Sequence, residues 1–218
     1  LQLYRPYSGR QRLRQLDQQV RLIAKSLAGR RDLHVQQQLI SQLAGELERP
    51  LSPALNSQLL LSSSSHSVNA TDNERIIAAF AAVLSDWPHC DSGTRDNWAA
   101  GLARTRKQAR SLARRACNSD QDALFHRCRK WTKYYLYQLE QLHDSRLPAS
   151  SEMQALARLG EQLGQLQDLC NLEAQLRTLA PDQETEALAE RLEKRKRRCK
   201  RRIIRLFIKV YGRRHLDV

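Results

Sequence analysis

His126, Arg129, Lys133 and Tyr137 stand three, four and four residues apart in the run FHRCRKWTKYYLYQLE. At about 100° per residue they fall at about 0°, −60°, −20° and +20° on a helical wheel, so they form one stripe along one face. Cations stacked in this way repel one another by roughly a few tenths of a kcal/mol per neighbouring pair unless something negative lies opposite. The chemistry open to such a stripe is anion recognition. Arginine offers paired N–H donors, lysine a compact charge, and histidine a donor that responds to pH. A bound anion favours the protonated imidazole, so binding by this stripe is expected to tighten as the pH falls.

The whole chain carries the same bias. Its 218 residues contain 37 Lys plus Arg against 23 Asp plus Glu, a formal charge of +14, and its pI is near 10.1. A surplus of that size points to polyanions or an anionic membrane surface as partners and says nothing of fold. With 41% hydrophobic and 28% charged residues the chain reads as globular, long enough for one large domain or two small coupled ones. Cys90, Cys117, Cys128, Cys170 and Cys199 show no CxxC or other metal-ligand spacing. Their odd number suits a disulfide framework badly, so they are read as reduced thiols of a cytoplasmic protein with no metal. No signal peptide is recognisable, and no run of about eighteen apolar residues offers a membrane span.

The elements that must position the stripe read as helices, because helical periodicity recurs along the chain and strand-like alternation does not. Leu13, Leu16, Val20, Ile23 and Leu27 mark a first helix, expected to stop at Gly29. A second is expected from about Asp32 to Glu48, ended by Pro50 and Pro53. Residues 50 to about 72 read as a flexible connection, with Thr71-Asp72-Asn73-Glu74 as a capping signal for the short helix ERIIAAFAAVLSDW. A longer basic helix, TRDNWAAGLARTRKQARSLARRA, follows, and a break at CNSDQD leads into the helix bearing the stripe. After Pro148 the pattern predicts two helices jointed near Gly164 to Asp168. A last helix is expected over about 184–212. Its apolar side is Cys199, Ile203, Leu206, Phe207 and Val210, and its basic back is Arg198, Arg202, Arg205 and Lys209.

The two halves look alike. LAGRRDLHVQQQL and LGQLQDLCNLEAQL each give a small turn, an acid and an apolar helical run, which predicts Asp32 and Asp168 as N-caps or first-turn acids. His126 lies 42 residues before Asp168 (168 − 126), and the same spacing from Asp32 falls ahead of Leu1. A first helix is therefore expected upstream of the residues given.

These segments resemble the CHAD family, the conserved-histidine α-helical domain. FHRCRKWTKYYLYQLE is similar to its H-x-x-R-x-x-x-K-x-x-R-Y signature at His126, Arg129, Lys133 and Tyr137, with Leu136 where the family has arginine. RRDLHV resembles its R-D-x-D-V element at Arg31, Asp32 and Val35, with His34 in place of the second acid, and LGQLQD resembles its L-G-x-x-x-D element at Gly164 and Asp168. The resemblance covers nearly the whole chain as a single CHAD domain. It implies an all-α fold of two pseudo-symmetric antiparallel four-helix bundles, residues 1–118 and 119–218, the first lacking its first helix. It further implies inorganic polyphosphate bound without chemistry in a basic cavity or channel, and association with polyphosphate granules. Beside the stripe, the rows offered to such a ligand are Arg21, Lys25, Arg31, Arg104, Lys107, Arg198, Arg202, Arg205 and Lys209.

Other readings are weighed against this one. Nucleic acid is the main alternative, since counterion release draws DNA or RNA to any basic groove. Base readers add aromatic platforms, whereas Tyr134, Tyr135 and Tyr137 are read here mainly as core. Lipid binding by the last helix is disfavoured because its apolar side is needed inside the bundle. An enzyme is not expected. Glu46 and Glu48 precede Arg49 and Pro50 rather than forming a carboxylate strand with a lysine, and no P-loop or cofactor motif occurs.

Overall fold

The computed structural model describes residues 10–46, 51–61, 70–86, 95–143, 150–212 and 216, and within these leaves out the side chains of 10, 12–13, 25–34, 60–61, 70–73 and 95–97. Every regular element among them is helical: α1 (Arg10–Gly45), α2 (Pro53–Leu61), α3 (Ala70–Ser85), α4 (Arg95–Ser119), α5 (Asp122–Leu142), α6 (Ser151–Leu176) and α7 (Gln183–Tyr211). The fold is an all-α helical bundle.

Three local expectations are corrected. Gly29 does not stop α1, and Gly164 to Asp168 do not joint α6; each helix runs through. A glycine inside a helix costs only about 1 kcal/mol relative to alanine, and the neighbouring Leu, Ala, Gln and Arg are strong helix formers. Asp32 and Asp168 therefore sit inside helices and not at their starts. Pro53 opens a helix within the expected connection: it is the first residue of α2, where its missing N–H is harmless, and Ser52 Oγ caps the turn by accepting from Leu55 N–H at 3.3 Å. The capping signal at Thr71 to Glu74 falls in the first turn of α3, which begins at Ala70, and its first three side chains lie outside the described residues.

The chain divides into two compact units. One gathers α1, α2 and α3 with residues 171–192, the end of α6 and the start of α7. In it Leu16, Ile23 and Val83 are buried together, flanked by Val20, Ile76 and Ala79, so α3 packs along α1. Ser52 N–H donates to Glu184 Oε2 at 3.3 Å, tying the 171–192 hairpin to α2. Leu22, Ile77, Phe80 and Leu84 remain exposed.

The other unit gathers α4, α5, α6 as far as Cys170 and α7 from Glu193. Small buried side chains on α4 (Ala109, Ala113, Ala116) let α5 approach closely. Asp120 turns the chain between them at φ 52°, a left-handed position that Asp tolerates, and its N–H caps α4 by donating to Ala116 O at 3.2 Å. Leu156, Leu159, Leu163 and Leu166 of α6 fill the interior with Ile203 and Phe207 of α7. Phe207 stacks on Phe125 of α5 at 6.4 Å between ring centroids. Each such side chain contributes roughly 1.5–3 kcal/mol by burial. α7 starts with a reciprocal cap, Asp182 N–H to Thr185 Oγ1 (2.8 Å) and Thr185 N–H to Asp182 Oδ1 (2.7 Å). It ends at Gly212, φ 80°, whose N–H returns to Ile208 O.

Candidate anion-binding site

α5 is rigidly placed before any ligand is considered. Leu124, Phe125, Cys128, Thr132, Tyr135 and Gln138 form its buried face. Its first residue, Asp122, is gripped from α7: Lys196 Nζ and Lys200 Nζ each lie 2.8 Å from its carboxylate oxygens. Burial alone would raise the Asp122 carboxyl, but the hydrogen bonds and charges of Lys196 and Lys200 outweigh it and hold it below its ordinary value. At the other end of α5, Tyr135 Oη donates to Glu152 Oε1 of α6 at 2.8 Å, and Arg106 Nε of α4 lies 3.5 Å from the same oxygen.

The stripe lies outside that core, along the seam between α5 and α6. These helices run antiparallel, since Tyr135 meets Glu152 while His126 meets Gln167. His126 is exposed, and its Nδ1 hydrogen-bonds the Gln167 amide oxygen. One turn along, the Arg129 guanidinium covers Gly164: a Cβ built on that glycine would lie 3.7 Å from Nε and 4.0 Å from Nη2. Arg129 Nε is buried with no hydrogen-bond partner among the described residues. A buried donor left unmade costs roughly 1–3 kcal/mol, more when the group is charged. Lys133 follows, half-buried. Tyr137 is 51% exposed, which corrects its reading as core; only Tyr135 is fully buried, and Tyr134 is half-buried with its ring edge-on to Trp131.

The remaining basic positions are distributed. Arg104 and Lys107 are exposed on α4, and Arg198, Arg202, Arg205 and Lys209 are exposed on α7. Ten of the sixteen residues from Lys194 to Lys209 are Lys or Arg and none is acidic, so the back of α7 is a concentrated positive surface. Among the described residues no hydrogen bond or ion pair joins the α7 row to the α5 row. Arg21 belongs to the other unit, 2.5 Å from Asp17 one turn earlier on α1. Lys25 and Arg31 lie on α1, with side chains outside the described residues. A groove of about 480 Å³ at the α4–α5 turn, lined by Arg114, Arg115, Asn118 and Gln121 among others, is away from the stripe. Its Leu124 is about 200° round α5 from His126.

Two functional positions escaped the sequence reading. Gln167, not the neighbouring Asp168, reaches His126, a contact that depends on the α5–α6 register. Lys196 is not among the positions named from the sequence, yet it is 5% exposed and bound to Asp122; its place at four and seven residues from Leu192 and Ile203, inside the apolar stripe of α7, was the available signal. Burial raises Cys117 and pushes Cys128 up to about 12 and Cys199 up to about 11, and none of Cys117, Cys128, Cys170 and Cys199 forms a disulfide. No described helix is long and apolar enough to cross a membrane.

A family model, the CHAD domain, matches residues 1–177 of the chain. No curated protein and no solved structure matches it.

Proposed function

Because the chain belongs to the CHAD domain family, we propose that it binds inorganic polyphosphate along the α5–α6 seam through His126, Arg129, Lys133 and Tyr137, without chemistry on the ligand. The observation that carries this reading is the half-buried Arg129, whose Nε has no hydrogen-bond partner among the described residues. A phosphate oxygen supplies the missing acceptor, and a charge-assisted bond to guanidinium is among the stronger hydrogen bonds available. Successive cations about 4.5–6 Å apart along the helix, at 1.5 Å rise per residue, suit a flexible ligand with repeated charges. The exposed rows on α4 and α7 extend the same attraction, and association with polyphosphate granules follows from it.

The test is a competition titration at about 150 mM salt, near physiological ionic strength, with labelled long-chain polyphosphate displaced by unlabelled polyphosphate or by DNA or RNA of matched charge. Polyphosphate alone is expected to compete well. Arg129→Met with Lys133→Gln removes two charged donors and is expected to weaken binding by about tenfold or more, at roughly 1.5–3 kcal/mol per charged hydrogen bond, with helicity retained. Undiminished affinity in that folded variant removes the stripe from the site. Equal competition by nucleic acid instead makes the protein a general polyanion binder, a reading favoured by one feature: Tyr137 stands exposed beside the cations, where a base can stack.

A further inference from the structure

We infer that Gln167 is a positioning residue for this site, holding His126 in the tautomer that turns Nε2 toward the ligand; the inference rests on the polyphosphate reading above. Gln167 lies one turn beyond Gly164 on α6, about −60° round the helix. The face that lies beneath the Arg129 guanidinium therefore also reaches His126, in the antiparallel register that sets 129 against 164 and 126 against 167. An amide oxygen can only accept. With Gln167 Oε1 against Nδ1, that nitrogen must carry the ring proton, which leaves the Nε2 lone pair to take up the next one.

Protonation then creates a new N–H donor and a positive charge at Nε2, the ring nitrogen that Gln167 does not occupy. On α5 Asp122, Arg129 and Lys130 lie one turn from His126, and on α6 Asp168 follows Gln167. An uncharged acceptor suits the task. A carboxylate at position 167 would hold the same tautomer but set a negative charge beside an anionic ligand.

The experiment uses the whole chain with ¹⁵N-labelled histidine, the His126 resonances being identified by their loss in His126→Phe, and pairs NMR with polyphosphate affinity. Wild type and Gln167→Glu are expected to show the Nδ1–H form when the ring is neutral, and Gln167→Met to lose that preference. Gln167→Met is expected to weaken polyphosphate binding about two- to tenfold, the worth of one hydrogen bond, and to have no further effect in the His126→Phe background. An Nε2–H ring in wild type, or an equal effect of Gln167→Met with and without His126, overturns the inference while leaving polyphosphate binding standing. Wild type that does not bind polyphosphate overturns the proposed function and the ligand half of this role with it, while the tautomer still reports whether Gln167 sets the ring.

Discussion

At the scale of single residues, Gly164 lies beneath the Arg129 guanidinium in the middle of α6. A methyl there would make only ordinary contact with Arg129, at 3.7 Å from Nε, and would relieve α6 of a mid-helix glycine worth up to about 1 kcal/mol. Gly164→Ala is therefore expected to raise the melting temperature while weakening polyphosphate affinity, because the methyl projects beside the guanidinium. A lower melting temperature, or unchanged affinity, would mean the glycine has another purpose. The stripe itself was legible in the sequence, since spacing alone places His126, Arg129 and Lys133 on one helix face. What lies opposite was not. A wheel assigns faces but not facing partners, so Gln167 and the cover over Gly164 emerge only from the register of two helices. Tyr137 was read as core because tyrosine is apolar in body, although the wheel places it on the same stripe as the cations, a solvent-side position.

At the scale of elements, the α5 N-terminus depends on two lysines from α7. The Asp122 carboxyl is held below its ordinary value in the folded protein, so its contribution is fully present above the unfolded value of about 3.9 and is lost as pH falls through the lower native one. Asp122→Asn is expected to lower the melting temperature at pH 7, with the gap from wild type closing as the pH falls below about 4. Lys196, 5% exposed, loses its 2.8 Å partner, so the roughly 3–5 kcal/mol of a broken buried pair is an upper bound on the loss. A gap that persists undiminished in acid would assign the effect to something other than the ion pairs. Thiol labelling gives a second check at this scale. Cys128 and Cys199, with burial pushing them to about 12 and 11, are expected to resist alkylation at neutral pH until α5 and α7 unfold. Helix identity was legible here, while helix ends were less so. Gly29 and Pro53 were read by residue type as punctuation, yet strong helix formers carry the chain past one, and Ser52 turns the other into a start.

For the whole molecule, the charge of +14 makes any polyanion affinity depend on salt. Binding to nucleic acid should fall with a log–log slope of about −0.7 to −0.9 per phosphate neutralised. Polyphosphate held by half-buried Arg129 and by His126 is expected to retain more of its affinity at high salt than nucleic acid does, and equal salt slopes for the two would argue for a general electrostatic surface. The all-α class and the basic character could be read from composition and periodicity. The assignment of helices to compact units could not, because it depends on contacts between segments far apart in sequence.

That assignment also fixes an order of events during synthesis. The unit containing α1, α2 and α3 is completed by residues 171–192, so the 78 residues from 93 to 170 must emerge before its last piece is available. At about 5–20 residues per second the first three helices wait for several seconds before Glu184 is available to accept from Ser52 N–H. A translational pause placed before residue 192 would lengthen that wait.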